Sequence, residues 1–315
     1  MLKSMSRVTI ALILCFMCCM ISGCKNKETK SLIYNASEST FIAQNSDYYY
    51  YNDSDIVAVS KKDDEASSLL RDPFNINEHR DYCLMLFGDY LYYYNKSDST
   101  INRLSLSNYI NETIYSFTDN NTSNFLGIML KKDHAPTIKI YNFFTDGENL
   151  YFMLYEKDGI FKLNGNKIER IINDKIYDNQ FSFNGTKAYY VNAARELICF
   201  DMKTYKSEII ETNFANAVYY DGVRILFSDK SGIFSLNTNT SEIKKLSDHY
   251  ADKISSDGES VVFQCDNTLF YMNGGIVSEI ERIDYIQNFA IVANQRKVVV
   301  KYYENEIYKV KTIEL

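Results

Sequence analysis

The 315-residue chain has no tryptophan, only two prolines and only three histidines. His79, His134 and His249 are dispersed, and neither an HExxH nor a GxSxG pattern occurs. Without a phosphate-cradling glycine loop either, no catalytic chemistry can be read from a local motif. A site assembled from distant segments stays open. Of the seven cysteines none stands in CxxC spacing, which argues against zinc or dithiol chemistry. Basic residues are not in excess: 34 Lys and Arg face 41 Asp and Glu, for a net charge of −7. That balance leaves no electrostatic footprint for nucleic acid. Nor does any apolar run reach the roughly 20 residues that a membrane-spanning helix needs.

What is present begins at the N-terminus. Lys3 and Arg7 precede the apolar run VTIALILCFMCCM, from Val8 to Met20. A basic start and a short apolar run form the n- and h-regions of a signal peptide. The run ends in Ile21-Ser22-Gly23-Cys24, which resembles the bacterial lipobox. The resemblance implies cleavage before Cys24 and acylation of that cysteine, with membrane lipid as its partner. Two or more acyl chains anchor a protein stably, whereas one does so marginally. The competing reading is an ordinary signal peptide with small residues before its cut. The expected organisation is therefore a signal peptide over 1–23, a lipid-anchored tether over 24–30 and a folded domain over 31–315. Cleavage would remove two cations and no acid, leaving −9 on a protein held at the extracytoplasmic face of a bacterial membrane. Cys83, Cys199 and Cys265 would remain, an odd and widely spaced set, expected as small buried hydrophobes in strands.

The stretch GDYLYYYN at Gly88 recurs as GENLYFML at Gly147, GTKAYYVN at Gly185, GVRILFSD at Gly222 and GESVVFQC at Gly258. Weaker copies start at Asn45 and Gln295, so successive spacings are 43, 59, 38, 37, 36 and 37 residues. After a polar turn each copy is followed by a second signature, such as Ile160-Phe161-Lys162-Leu163 or Ile233-Phe234-Ser235-Leu236. Asp146-Gly147, Asn184-Gly185, Asp221-Gly222 and Asp257-Gly258 supply hairpin-turn chemistry before the first signature. A third run follows and a fourth precedes, so each unit of about 37 residues holds four strands. That pattern reads as an all-β propeller of four-stranded blades. Seven blades is the count, with six or eight as alternatives. Flat sandwiches do not repeat at a fixed period, and helical solenoids need 3.6-residue periodicity where this chain alternates with period two. Tyrosine suits such packing, covering apolar area while its hydroxyl reaches water.

The last unit ends at Leu315 after its third strand. KSLIYNASESTFIAQ at Lys30 parallels KSEIIETNFANAVYY at Lys206, so the N-terminal strand is expected to complete the last blade and close the ring. The repeated Gly-x-x-apolar-aromatic-aromatic and Ile-Phe-x-Leu strands resemble those of extracytoplasmic TolB-like β-propellers. They are closer still to bacterial lipoproteins bearing an uncharacterised domain related to the low-density-lipoprotein-receptor-related propeller. The resemblance implies a fold and not an activity.

Function is expected on the face that outer-to-inner connections share with middle-hairpin turns. The two over-long spacings put extra length at Arg71–His79 and Ser116–Pro136, on that face and on neighbouring blades. Loops longer than the repeat requires are often functional. Candidate binding residues are Arg71, Phe74, His79 and Arg80 in one, and Phe125, Leu126, Lys131, Lys132 and His134 in the other. Aromatic and apolar groups beside cations suit a protein contact. The leading reading is a scaffold that binds a protein or other envelope component; a glycan-active enzyme and a small-ligand sensor are the alternatives. No cofactor, metal or catalytic residue is implied. Asp53 and Asp55 lack the glycine and distal glutamate of a calcium loop. Cys24→Ala should leave an uncleaved precursor that takes up no labelled fatty acid, and labelling that persists in the variant removes the lipoprotein reading.

Overall fold

The computed structural model describes residues 34–35, 41–52, 55–70, 83–95, 98–117, 140–154, 157–164, 167–212, 214–305 and 307–315. Every regular element among them is a strand, and the strands form seven antiparallel sheets arranged as a β-propeller. Blade 1 spans residues 42–70, blade 2 84–116, blade 3 140–172, blade 4 176–211, blade 5 217–247, blade 6 253–282 and blade 7 286–314. In each, strand order follows chain order from the innermost strand outward. The tyrosine-rich signature is the second strand, as in Tyr90–Asn95, and the Ile-Phe-x-Leu signature is the third, as in Gly232–Asn237.

The Asp-Gly and Asn-Gly steps join first to second strands, and one device recurs there. Asp146 Oδ1 accepts the backbone N–H groups of Glu148 and Asn149, at 3.0 and 2.7 Å. Asn45, Asn184, Asp221 and Asp257 hold the same two positions downstream of themselves. The side chain mimics a turn residue, and the following glycine takes φ near +90°, as at Gly147 and Gly222. Burial pushes the Asp146 carboxyl up, but the bonds it accepts outweigh this and hold it below the ordinary carboxylate value.

Blades pack face to face through their first three strands. Leu91 and Tyr93 of blade 2 meet Tyr50, Ile56 and Ala58 of blade 1. Phe144 of blade 3 lies 5.1 Å, ring to ring, from both Phe181 and Phe183 of blade 4. The tyrosine hydroxyls find protein partners as well as covering area, so water is not their only outlet. Tyr190 donates to Asp174 Oδ2 at 2.6 Å, Tyr151 to Asp146 Oδ2 at 2.8 Å and Tyr219 to the Ser256 carbonyl at 3.1 Å. A buried hydroxyl without a partner would cost about 1–3 kcal/mol, so these bonds make consecutive core tyrosines tolerable. Cys83 and Cys199 are buried free thiols and Cys265 is half-buried; Cys83 lies just before its strand, and its Sγ donates to Asn142 Oδ1.

Ring closure departs from expectation. Tyr34–Asn35 does not complete the last blade: it pairs antiparallel with Phe183 and Ser182, on the channel edge of the innermost strand of blade 4. Among the described residues blade 7 has three strands, ending in the eight-pair hairpin of Lys297–Glu304 with Ile307–Glu314. The outer edge of a blade faces solvent, which satisfies its free backbone groups. Pairing at the inner edge of blade 4 satisfies backbone groups that face the central channel. Lysines 309 and 311 on that last strand, bound to Glu304 and Glu281, blunt the outer edge further.

The seam between blades 7 and 1 is closed by side chains. Phe41, Ile42, Tyr49 and Val59 pack on Ala290, Val292 and Val299. Gln44 Nε2 donates to the Ile291 carbonyl, and the Ala293 N–H donates to Gln44 Oε1, both at 3.0 Å. Gln44→Ala should therefore cost about 1–3 kcal/mol in chemical denaturation, since it strands two inner-edge backbone groups. An unchanged unfolding midpoint would mean that apolar packing alone holds the seam.

Candidate functional site

Two faces can be told apart by what they carry. Outer-to-inner connections and middle turns share one face, as hydrogen bonds between them show: Ala215 N–H to the Arg195 carbonyl, Ile283 N–H to Asn267 and Tyr303 N–H to Tyr285. The opposite, inner-turn face carries the first-to-second and third-to-fourth turns, joined by bonds such as Lys61 N–H to Asp47 and Leu106 N–H to Asp89. Strand ends at Leu70 and Leu84, and at Ser116 and Ile140, make both over-long segments outer-to-inner connections of neighbouring blades. Their residues Arg71, Phe74, His79, Arg80, Phe125, Leu126, Lys131, Lys132 and His134, like Cys24, lie outside the described residues.

On the described part of the connection face, one cluster stands out, and it was not singled out from sequence. Arg195, in the middle turn of blade 4, stacks its guanidinium 3.6 Å from the Tyr177 ring centroid and 4.9 Å from that of Phe214. Lys230, in the middle turn of blade 5, sets its Nζ 3.9 Å from the same Phe214 ring. Phe214 lies in the connection between these blades and is 44% exposed. Among the described residues Nη1 of Arg195 has no hydrogen-bond partner, and the two rings stack against this guanidinium. Beside it, burial and then Asp252 push the Tyr250 phenol up to about 12. Tyr109 and Tyr205 are also exposed, but on the inner-turn face each closes a repeated five-residue turn, through N–H bonds to Ser105 and Asp201. Phe214 has no such local task. His249, the one described histidine, bonds Ser247 Oγ through Nδ1 and leans on Phe263 and Phe270, a structural role.

On the inner-turn face a cavity of about 370 Å³ opens at the channel mouth. Innermost strands and turns of blades 1, 2, 5, 6 and 7 wall it, with Gln44, Met85, Tyr220, Asp257 and Asn294 among them. Lys61, from the outer turn of blade 1, is its cation. The ammonium donates to Gln44 Oε1 at 3.0 Å and to the Ala293 carbonyl at 3.2 Å, both neutral. Burial lowers its pKa from 10.5 to about 8, against a smaller opposing pull from Asp47. Among the described residues, no group of three or more His, Cys, Asp or Glu side chains could hold a metal ion.

No protein-family model matches the chain, and no curated protein sequence does either. Solved structures share its fold at low identity. An oligogalacturonate lyase from Vibrio parahaemolyticus aligns over 91% of this chain and 94% of its own, at 9% identity and TM-score 0.56. The β-propeller domain of Cps50 (Swd1) from Myceliophteria thermophila aligns over 90% and 99%, at 10% identity and TM-score 0.55. The extracellular domain of BT4673 from B. thetaiotaomicron matches at 13% identity and TM-score 0.54; 90% of this chain covers 39% of that one. These similarities define the chain as a β-propeller and leave its activity to the site.

The Lys61 shift has a consequence for stability. Between pH 8 and pH 10.5 the unfolded chain binds a proton at Lys61 that the folded chain has released. Stability from this group therefore rises with pH across that window. The raised tyrosine phenols, Tyr250 among them, pull the other way near pH 10, so the readout is the difference between variants. Lys61→Met should make the pH slope of the denaturation midpoint less positive than in the native chain, and an identical slope would place Lys61 in water.

Proposed function

We propose that this protein is a bacterial envelope propeller, anchored through acylated Cys24 on the extracytoplasmic side, that captures a protein partner on its connection face. The observation that carries the reading is the exposed Phe214 held between Arg195 and Lys230. Aromatic and arginine side chains are the groups enriched at protein interfaces and their energetic centres. Its position on the face with the two over-long connections supports the same reading. The bacterial neighbours support the location: besides the extracellular domain of BT4673, PorZ of Porphyromonas gingivalis is a surface component of a secretion system.

Nine residues, 25–33, separate Cys24 from Tyr34 and span at most about 30 Å, so the proposed anchor would keep the propeller close to the membrane. A photo-crosslinker replacing Phe214 in the lipidated protein should trap a protein in its own envelope, and Lys230→Glu should lower the yield several-fold. Crosslinking equal to that of a probe at Tyr205, on the other face, would remove the assignment.

A further inference from the structure

The cavity at the inner-turn mouth has no part in partner capture on the opposite face, yet its chemistry is specific. Three N–H donors surround an ammonium nitrogen. Two of those on Lys61 are directed by Gln44 and Ala293, across the seam between blades 1 and 7. The third has no acceptor among the described residues, and no carboxylate there lies within ion-pair distance. The two acids in the wall are engaged with their own turns: Asp221 caps Val223 and Arg224 and pairs with Arg224 Nε, and Asp257 Oδ1 caps Glu259 and Ser260. Lys61 is thus a fixed, half-desolvated cation presented to a cavity. Ile42, Leu84 and Met85 make part of that cavity apolar, while Gln44, Ser46 and Asn294 supply neutral polar groups. Its volume lies within the range of small-molecule pockets.

We infer that this mouth is a binding site for a small organic monocarboxylate, whose carboxylate pairs with Lys61 Nζ while its body rests on the apolar wall. One unpaired cation matches one negative charge. A bound carboxylate would take the third donor and convert a solvation cost into a charge-assisted hydrogen bond. A second, dianionic group is disfavoured by Asp221 and Asp257 in the same rim. The charged group that acts on the amine is Asp47, on its own blade, while the Lys297–Asp64 pair bridges the same seam.

Titration calorimetry with benzoate and gluconate, and with benzamide and glucose as their neutral counterparts, tests the site on the full-length protein. At least one carboxylate should bind, its neutral counterpart should not, and Lys61→Met should weaken binding at least about tenfold, the loss of a charge-assisted bond. Binding to the unmodified protein should also weaken between pH 7 and about 10, as the amine gives up its proton. A measurement without substitution covers a variant that fails to fold. In acetylation by acetic anhydride, mapped by peptide mass spectrometry, the carboxylate that binds should protect Lys61 and leave Lys62 unprotected. Binding of neutral and charged probes alike, undiminished binding to a folded Lys61→Met protein, or no binding and no protection with either carboxylate would overturn the assignment.

Discussion

The free inner edge of each blade is the constraint on which the rest of this structure depends. An innermost strand has a blade neighbour on one side only, and its other row of N–H and C=O groups faces the central channel. Each unpaired group would cost as much as a lost hydrogen bond. The chain meets this by letting one blade's side chains satisfy the next blade's backbone. Gln180 Oε1 accepts from Val218 N–H, Ser255 Oγ from Ile291 N–H and Gln44 Oε1 from Ala293 N–H, while Asn216 donates to the Ala251 carbonyl. Even sulfur serves, with Met85 Sδ 3.2 Å from Thr145 N. The bridges cross blade seams, so the polar belt also sets the register between blades. The apolar faces behind it, filled by Phe143, Phe227 and Phe263, supply area but little direction.

The same constraint explains which parts of the fold were legible in the sequence. Repeat period, the Asx-Gly turns and the alternation of buried tyrosines are local, and each unit states them again. Ring closure is not local. The run KSLIYN has the alternation of an outer strand, and nothing in it says which free edge it will join. The choice is made by tertiary contacts, and in the folded ring the run joins the inner edge of blade 4 and not the outer edge of blade 7. Lys61 is a sharper case. In sequence it sits in Ser60-Lys61-Lys62-Asp63-Asp64, a charged turn indistinguishable from a solvated one. Only closure of the ring brings residues 44, 61 and 293 together and buries one of two adjacent lysines. Phe214 and Arg195 were equally silent, because Arg195-Glu196 reads as one more polar middle turn and the aromatic it stacks on lies 19 residues away, in the next connection.

The two faces of the propeller differ in kind. On the connection face, side chains from separate blades stack outward around an exposed ring, an arrangement suited to a broad surface. On the inner-turn face, blades 1, 2, 5, 6 and 7 leave a recess, while the channel edge of blade 4 is covered by Tyr34–Asn35. Pairing at the inner edge spends the two-residue strand inside the ring and leaves the outer edge of blade 7 to its lysines and solvent. Blades that repeat one sequence pattern are otherwise nearly equivalent, so it is side chains brought together across seams, Lys61 at one mouth and Phe214 on the opposite face, that make the two faces chemically distinct.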